Sequence, residues 1–451
     1  MPPPATRPGV TTALAAFASL AAIITTIHYL ELPSLLAQRK KARKVDKRCY
    51  DAATTNDDEE GGGGKRYSLA SFATLTSQLT LPSTYPLATD VQKNVPIYDA
   101  LDFDLANGER VEALKDELFH ILYDGPGVYV LRNFFTDMGV LDSANAAFAS
   151  IIQSELDEEE EADAADREKK KKGDHFAPAS ANSRIWNSFS KHCLQDPESF
   201  VKYYSNPLFR VVSEAYLGPA YRITTQLNVV KPGGKPQVCH RDYHLGFQTK
   251  EDVARWPKPM HDASRLLTLQ GAVAHSDMPL ESGPTRLLPF SQGFEAGFMA
   301  YRQEEFNEYF LQSYIALPLK KGDAVFFSPA LFHAAGENKT SDVERSANLI
   351  QVSSAFGKTM ESVDSLPLVE KSWELLAEKH TREGMSRELD ALVGAIAEGY
   401  PFPTNLDRRP PAPGGMAPES EQDVLRRALG EGWKQERVLE ELAAMRKAGA
   451  A

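Results

Sequence analysis

The stretch KPQVCHRDYHLGF puts His240, Asp242 and His244 within five residues. On a strand, residues i and i+2 project to one face, so the His240 imidazole and the Asp242 carboxylate would emerge together. One nitrogen and one oxygen do not hold a metal alone. His333, in GDAVFFSPALFHAAGENK, offers a third ligand where a strongly apolar strand gives way to a loop. Only a fold that returns one strand beside another joins the two stretches. Two histidines and a carboxylate on one face of an octahedron leave three positions open, the arrangement of non-heme Fe(II) oxygenases. Zinc fits less well, because catalytic zinc usually adds a third histidine or a glutamate at close helical spacing. Arg345 opens the next apolar run, RSANLIQVS. A guanidinium is no iron ligand, but it suits a two-pronged ion pair with a carboxylate. The dicarboxylate 2-oxoglutarate would use both features, with its keto-acid end on Fe(2+), its far carboxylate on Arg345, and O2 in the remaining position.

The elements that must position these residues begin near Tyr221. YRITTQLNVV, RLLTLQGAVAHS, GPTRLLPFS, YIALPLKKGDAVFFSP and SANLIQVSSAF read as short strands punctuated by Gly and Pro, as in a β-sandwich or jelly roll. Upstream, NGERVEALKDELFHILYDG has helical spacing, GVYVLRNFF reads as a strand, and TDMGVLDSANAAFASIIQSEL reads as a helix capped by Thr136. Downstream, VEKSWELLAEKH and MSRELDALVGAIAEGY are amphipathic, and Ser420 with Asp423 forms a plausible helix cap. The fold class expected is α+β, a double-stranded β-helix (jelly roll, cupin-like) with flanking helices and an N-terminal transmembrane helix. Residues 1–49 form the anchor and basic flank, 50–90 a flexible linker, 91–360 the oxygenase domain with a charged insertion at about 157–174, and 361–451 a helical extension.

The anchor rests on residues 9–30, which carry no charge, followed by seven basic residues from Arg39 to Arg48. By the positive-inside rule the catalytic domain would be single-pass anchored and face the cytosol, with mitochondrial or soluble cytoplasmic placement as alternatives. Three cysteines among 451 residues fit a reducing compartment. A net charge of −12 argues against a nucleic-acid partner.

The chain resembles the phytanoyl-CoA dioxygenase family from about Val111 to Phe356. NVVKPGGKPQVCHRDYHLGF resembles the family's His-x-Asp strand, and ESGPTRLLPFSQGF is similar to its Gly-Pro-x-Arg segment, with Ser291-Gln292 where Ser-His is common. GDAVFFSPALFHAAGENKTSDVER resembles its distal histidine loop and cosubstrate arginine. The resemblance implies that His240, Asp242 and His333 bind iron and that Arg345 binds 2-oxoglutarate. It also implies contact with the cosubstrate from Gln226 or Leu227 and from Gln270. Ala335 departs from the family, which often places Ser or Thr there. Retention of Asp242 makes oxygenation, typically hydroxylation of an unactivated C–H bond with release of succinate and CO2, the expected reaction, with ascorbate in support. His244, Trp186 and Arg184 are candidates for contact with a small or lipophilic substrate. Arg241, Cys239 and His275 read as structural. The opposing reading is a non-catalytic, membrane-tethered jelly-roll binding module.

Overall fold

Along Arg222–Val230 the side chains alternate between two environments, and this alternation builds the site. In the computed structural model, residues 48–50, 68–161, 182–402 and 404–450 are described. Cys49–Ala451 form one compact unit. Ile223 and Leu227 enter an apolar core, whereas Gln226 and Asn228 line a cleft on the opposite face. The described strands are β1 (Asp90–Gln92), β2 (Val95–Asp99), β3 (Val128–Arg132), β4 (Asn182–Ile185), β5 (Arg222–Val230), β6 (Thr268–Ala274), β7 (Arg286–Leu288), β8 (Ala324–Phe327), β9 (Phe332–Ala334) and β10 (Arg345–Ser353). Eight form a sheet in the order β1-β2-β3-β8-β6-β10-β5-β4, and β7 pairs with β9. Register keeps the two environments separate across the large sheet. Leu349 opposes Gln226, Gln351 opposes Gln270, and Ala272 opposes Val325, all on the cleft face. Ile350, Val352, Leu269 and Phe326 take the core face.

The β7–β9 pair is extended by bridges from Leu287 to Ile315 and from His333 to His240. The expected mixed α+β architecture, organised around a large sheet, is what the chain adopts.

Several boundaries differ from expectation. Leu69–Thr76, inside the expected linker, is a helix whose Ser68 side chain caps the Ser71 amide. Its Phe72 is fully buried among Phe294, Phe306, Tyr309 and Phe332, an environment only distant residues supply. The helix Met138–Glu161 is capped by Asp137, not Thr136: the Asp137 carboxylate accepts from the Gly139 amide at 2.8 Å. The C-terminal helices are no appendage. Trp373 is 1% exposed and shares one apolar cluster with Tyr204, Ile223 and Val424, and its indole N–H donates to the Trp433 carbonyl at 3.2 Å. Burying one such ring contributes roughly 1.5–3 kcal/mol. The Ser420–Asp423 capping box forms as expected. The apolar segment 9–30 and most of the charged insertion lie outside the described residues. Among the described residues, no helix is long and apolar enough to cross a membrane.

Two core histidines make stability pH-dependent. His275 accepts or donates to Tyr203 Oη at 2.9 Å and Asn145 Oδ1 at 2.6 Å, and His192 meets Ser199 Oγ at 2.7 Å. Burial lowers their pKa values to about 3 and about 4, respectively, from 6.5. Below 6.5 the unfolded chain takes up protons that the native state refuses, so stability falls as pH falls toward 4. Each histidine contributes a slope of about 1.4 kcal/mol per pH unit. Urea midpoints measured at about pH 7 and about pH 5 are expected to drop accordingly, and replacing His275 by Gln is expected to flatten the drop.

Candidate metal centre and cosubstrate cleft

His333 lies on β9, and His240 pairs with it through reciprocal backbone hydrogen bonds, His240 N–H to His333 O at 2.9 Å and the reverse at 3.1 Å. Each imidazole then meets a carbonyl two residues back: His240 Nδ1 is 2.8 Å from Val238 O, and His333 Nδ1 is 2.8 Å from Leu331 O. A carbonyl only accepts, so both Nδ1 atoms carry a proton, which leaves Nε2 as the ring atom turned toward Asp242. Asp242 Oδ2 stands 3.8 Å from His240 Nε2 and 3.5 Å from His333 Nε2. One ligand atom from each residue falls within 4.8 Å of the others. Burial would raise the Asp242 carboxyl, but His240, His333 and the Gln270 amide together outweigh it and hold the carboxyl at about 2. Burial and His333 pull His240 below its ordinary value, so it is neutral at pH 7. Two imidazoles tethered through Nδ1 and one ionised carboxylate form a donor set that fits a divalent transition metal.

Gln270, on β6, donates its amide to Asp242 Oδ2 at 2.7 Å. That bond holds the Asp242 rotamer. Removing such a partner costs about 10–100-fold in metal affinity. Gln270→Leu is expected to show that loss in Mn(II) titrations, with the fold intact by circular dichroism.

Arg345 opens β10, is 6% exposed and lines the same cleft as His240, Asp242 and His333. Its Nη1 has no hydrogen-bond partner and no carboxylate pairs with it among the described residues. Burial lowers its pKa to about 10, which leaves it charged at neutral pH. Four further cleft atoms are buried without partners among the described residues: Asn228 Oδ1, Tyr243 Oη, Gln270 Oε1 and Gln351 Oε1. Buried polar atoms normally find partners, so this concentration marks a place for a polar ligand.

The family profile "Phytanoyl-CoA dioxygenase (PhyH)" matches residues 123–347, which span the whole constellation from His240 to Arg345. The chain carries a phytanoyl-CoA dioxygenase family domain. Among curated proteins it is similar to "Dioxygenase andF" of Emericella variicolor, 24% identical over 145 residues covering 31% of this chain and 45% of that one. It is likewise similar to "Dioxygenase trt7" of Aspergillus terreus, 24% identical over 156 residues, covering 34% of this chain and 49% of that one. The chain thus spans about half the length of the curated relatives it matches. Among solved structures, the non-heme alpha ketoglutarate dependent carbocyclase SnoK aligns at 18% identity and a TM-score of 0.36, covering 55% of this chain and 84% of that one.

Within the phytanoyl-CoA dioxygenase domain, the structure separates the remaining candidates. Gln226 lines the cleft and accepts from Arg184 Nη1 at 3.1 Å; Leu227, its alternative, points into the core because adjacent strand residues face opposite ways. Arg184 and Trp186 line the cleft together, the guanidinium 5.0 Å from the ring centre. His244 does not share the face of His240. The chain turns at Tyr243–Gly246, where the Gly246 amide bonds the Tyr243 carbonyl, and His244 reaches Ser264 Oγ at 3.2 Å. Tyr243 and Phe247 take the cleft position instead. Ala335 faces the cleft beside Gln237, whose backbone amide bonds the Ala335 carbonyl. Sequence reasoning missed Gln237, Asn228 and Gln351; the last two lay open to strand parity, being two residues from Gln226 and six from Arg345.

The structural assignments hold. Cys239 is buried in an apolar cluster. Arg241, between His240 and Asp242, is buried, donates from Nη2 to the Ser291 and Gln292 carbonyls at 3.0 Å, and sits 4.7 Å from the Phe298 ring centre. A Cβ at Gly297 would fall 2.1 Å from the Arg241 guanidinium, so only glycine admits this buried cation.

Proposed function

We propose that this chain is an Fe(II)- and 2-oxoglutarate-dependent dioxygenase acting on a small organic, largely apolar substrate. The observation that carries the reading is Arg345, a buried, unpaired guanidinium lining the same cleft as two aimed imidazoles and an ionised carboxylate. A charge in that position is costly unless an anion meets it, and the far carboxylate of 2-oxoglutarate is such an anion. We also read the two sheets as a jelly roll. Bridges at Leu287–Ile315 and His240–His333 give the smaller sheet four segments, facing the larger sheet across the cleft that both line.

His240, Asp242 and His333 would hold Fe(II), and Arg345 the cosubstrate. When bound, the metal couples O2 activation to oxidative decarboxylation of 2-oxoglutarate, giving succinate, CO2 and an oxidised C–H bond. The protein's part is placement. Gln270 fixes Asp242, the Nδ1 hydrogen bonds fix both rings, and the apolar wall including Leu287, Leu319 and Phe327 keeps water from the reacting centre. Trp186, Tyr243 and Phe247 supply aromatic faces for the substrate. Hydroxylation is the reaction proposed. We further propose that residues 9–30 anchor the chain to a membrane.

The test is succinate formation from 2-oxoglutarate by the full chain with Fe(II), ascorbate and O2, paired with anaerobic 2-oxoglutarate binding. Binding in the presence of Fe(II), with slow succinate release, is expected. Failure of both would replace the enzyme with the tethered binding module.

A further inference from the structure

Phe247, Trp256 and Met260 are 55%, 42% and 41% exposed, although all three are large and apolar. Phe247 and Trp256 are linked through Gln248, and Met260 follows Trp256 by four residues. Phe247 lines the cleft; its neighbour Gln248 accepts from the Trp256 indole N–H at 3.0 Å; Met260 sits one turn into the helix Lys258–Arg265 that follows Trp256. Exposed apolar side chains gathered at a cleft mouth mark an interaction site.

A helical hairpin, Lys250–Arg255 and Lys258–Arg265 joined through Trp256 and Pro257, also receives the incoming chain. Cys49 bridges to Pro257, and its thiol donates to the Arg255 carbonyl at 3.3 Å. Tyr50 packs edge-on against His261 at 4.8 Å, with Lys258 Nζ 5.4 Å from the Tyr50 ring centre. The basic run Arg39–Arg48 ends at the residue before Cys49, and the uncharged run 9–30 precedes it. Covalent continuity therefore ties a strongly basic segment to the hairpin that presents Trp256.

We propose that the face bearing Phe247, Trp256 and Met260 docks on an anionic phospholipid bilayer and so opens the cleft mouth toward the lipid. Aromatic side chains with a polar atom are favoured at the headgroup level, and Trp256 has an indole N–H. Clustered Lys and Arg beside an apolar face are the chemistry of anionic lipid surfaces. The hairpin's own charges nearly cancel: Lys250, Arg255, Lys258 and Arg265 stand against Glu251, Asp252 and Asp262. With a net charge of −12, the whole chain is repelled by such a surface. Attraction must come from the Arg39–Arg48 run, which joins the chain at Cys49.

The experiment uses the full chain with vesicles of phosphatidylcholine and phosphatidylserine, in which brominated phosphatidylcholine quenches only tryptophans that enter the bilayer. The four tryptophans are Trp186, Trp256, Trp373 and Trp433, and the last two are buried. Wild type and Trp186→Phe are expected to float with the vesicles and be quenched, and Trp256→Phe to float but lose most of the quenching. Flotation without quenching, or quenching that survives Trp256→Phe, overturns the proposal, because the N-terminal segment alone would then hold the protein. Absence of flotation overturns it too, as does a concentration-dependent blue shift of Trp256 emission without lipid, which would assign the face to a second copy of the chain. None of these readouts depends on turnover, so docking and the oxygenase reading fail or stand separately.

Discussion

Asp242→Ala is expected to abolish succinate formation and the metal's effect on stability. Asp242 is the only carboxylate in the cluster, and it lies within 3.8 Å of both Nε2 atoms. Loss of a hydrogen-bond partner to a ligand already costs 10–100-fold, so loss of the ligand itself is expected to exceed ~10²-fold. A metal present at a hundred times its Kd stabilises a protein by about 2.7 kcal/mol. That increment, read as the shift in thermal midpoint on adding Mn(II), is expected in wild type and missing in the variant. The metal-free variant is expected to fold. Its main defect is the Gln270 amide left unpaired, which costs about 1–3 kcal/mol. An unchanged Mn(II) shift in Asp242→Ala would mean that these three residues are not the metal centre.

How much of this was legible in the sequence depends on the reach of the interaction concerned. His240, Asp242, His333 and Arg345 stood out because their residue types suit one chemistry; His333 and Arg345 do lie on strands, but His240 makes only an isolated bridge to His333 and Asp242 follows it outside any strand. The choice between Gln226 and Leu227 needed only the phase of β5 relative to the core, which the pattern Ile223, Thr225, Leu227 leaves ambiguous until register with β10 is known. His244 was misplaced because strand parity was carried through a turn. The chain had announced that turn at Gly246, where a Cβ would fall 2.0 Å from the Arg241 carbonyl oxygen. The helix Leu69–Thr76 gave no comparable signal. Its place depends on Phe72 meeting four aromatic rings from residues 294–332, contacts that no local pattern encodes. The C-terminal helices showed their amphipathic faces but not their destination, the back of the large sheet near Ile223 and Val352.

Arg345→Met is expected to move two observables in opposite directions. In wild type the guanidinium is 6% exposed, keeps its charge at neutral pH, and has no carboxylate partner among the described residues. The apo fold therefore carries the desolvation cost of a cation without the Coulombic return. Replacing buried ionic groups with apolar side chains of similar volume is often neutral or stabilising by about 1–4 kcal/mol. Methionine is flexible enough to follow the arginine stem. The ligand-free variant is thus expected to unfold at equal or higher urea concentration than wild type. For 2-oxoglutarate the sign reverses, because the far carboxylate then meets a thioether. Truncating one partner of a buried charge pair costs about 2–5 kcal/mol, a rise in Kd of roughly 30-fold to several thousand-fold at about 1.4 kcal/mol per decade. Arg345→Lys keeps the charge but not the fork, and is expected to fall between the two. A purely structural arginine would give the opposite result, with stability lost and anaerobic 2-oxoglutarate affinity unchanged. Gain of stability with loss of affinity would assign Arg345 to the cosubstrate, because a buried guanidinium without a carboxylate partner recovers its desolvation cost only when an anion binds.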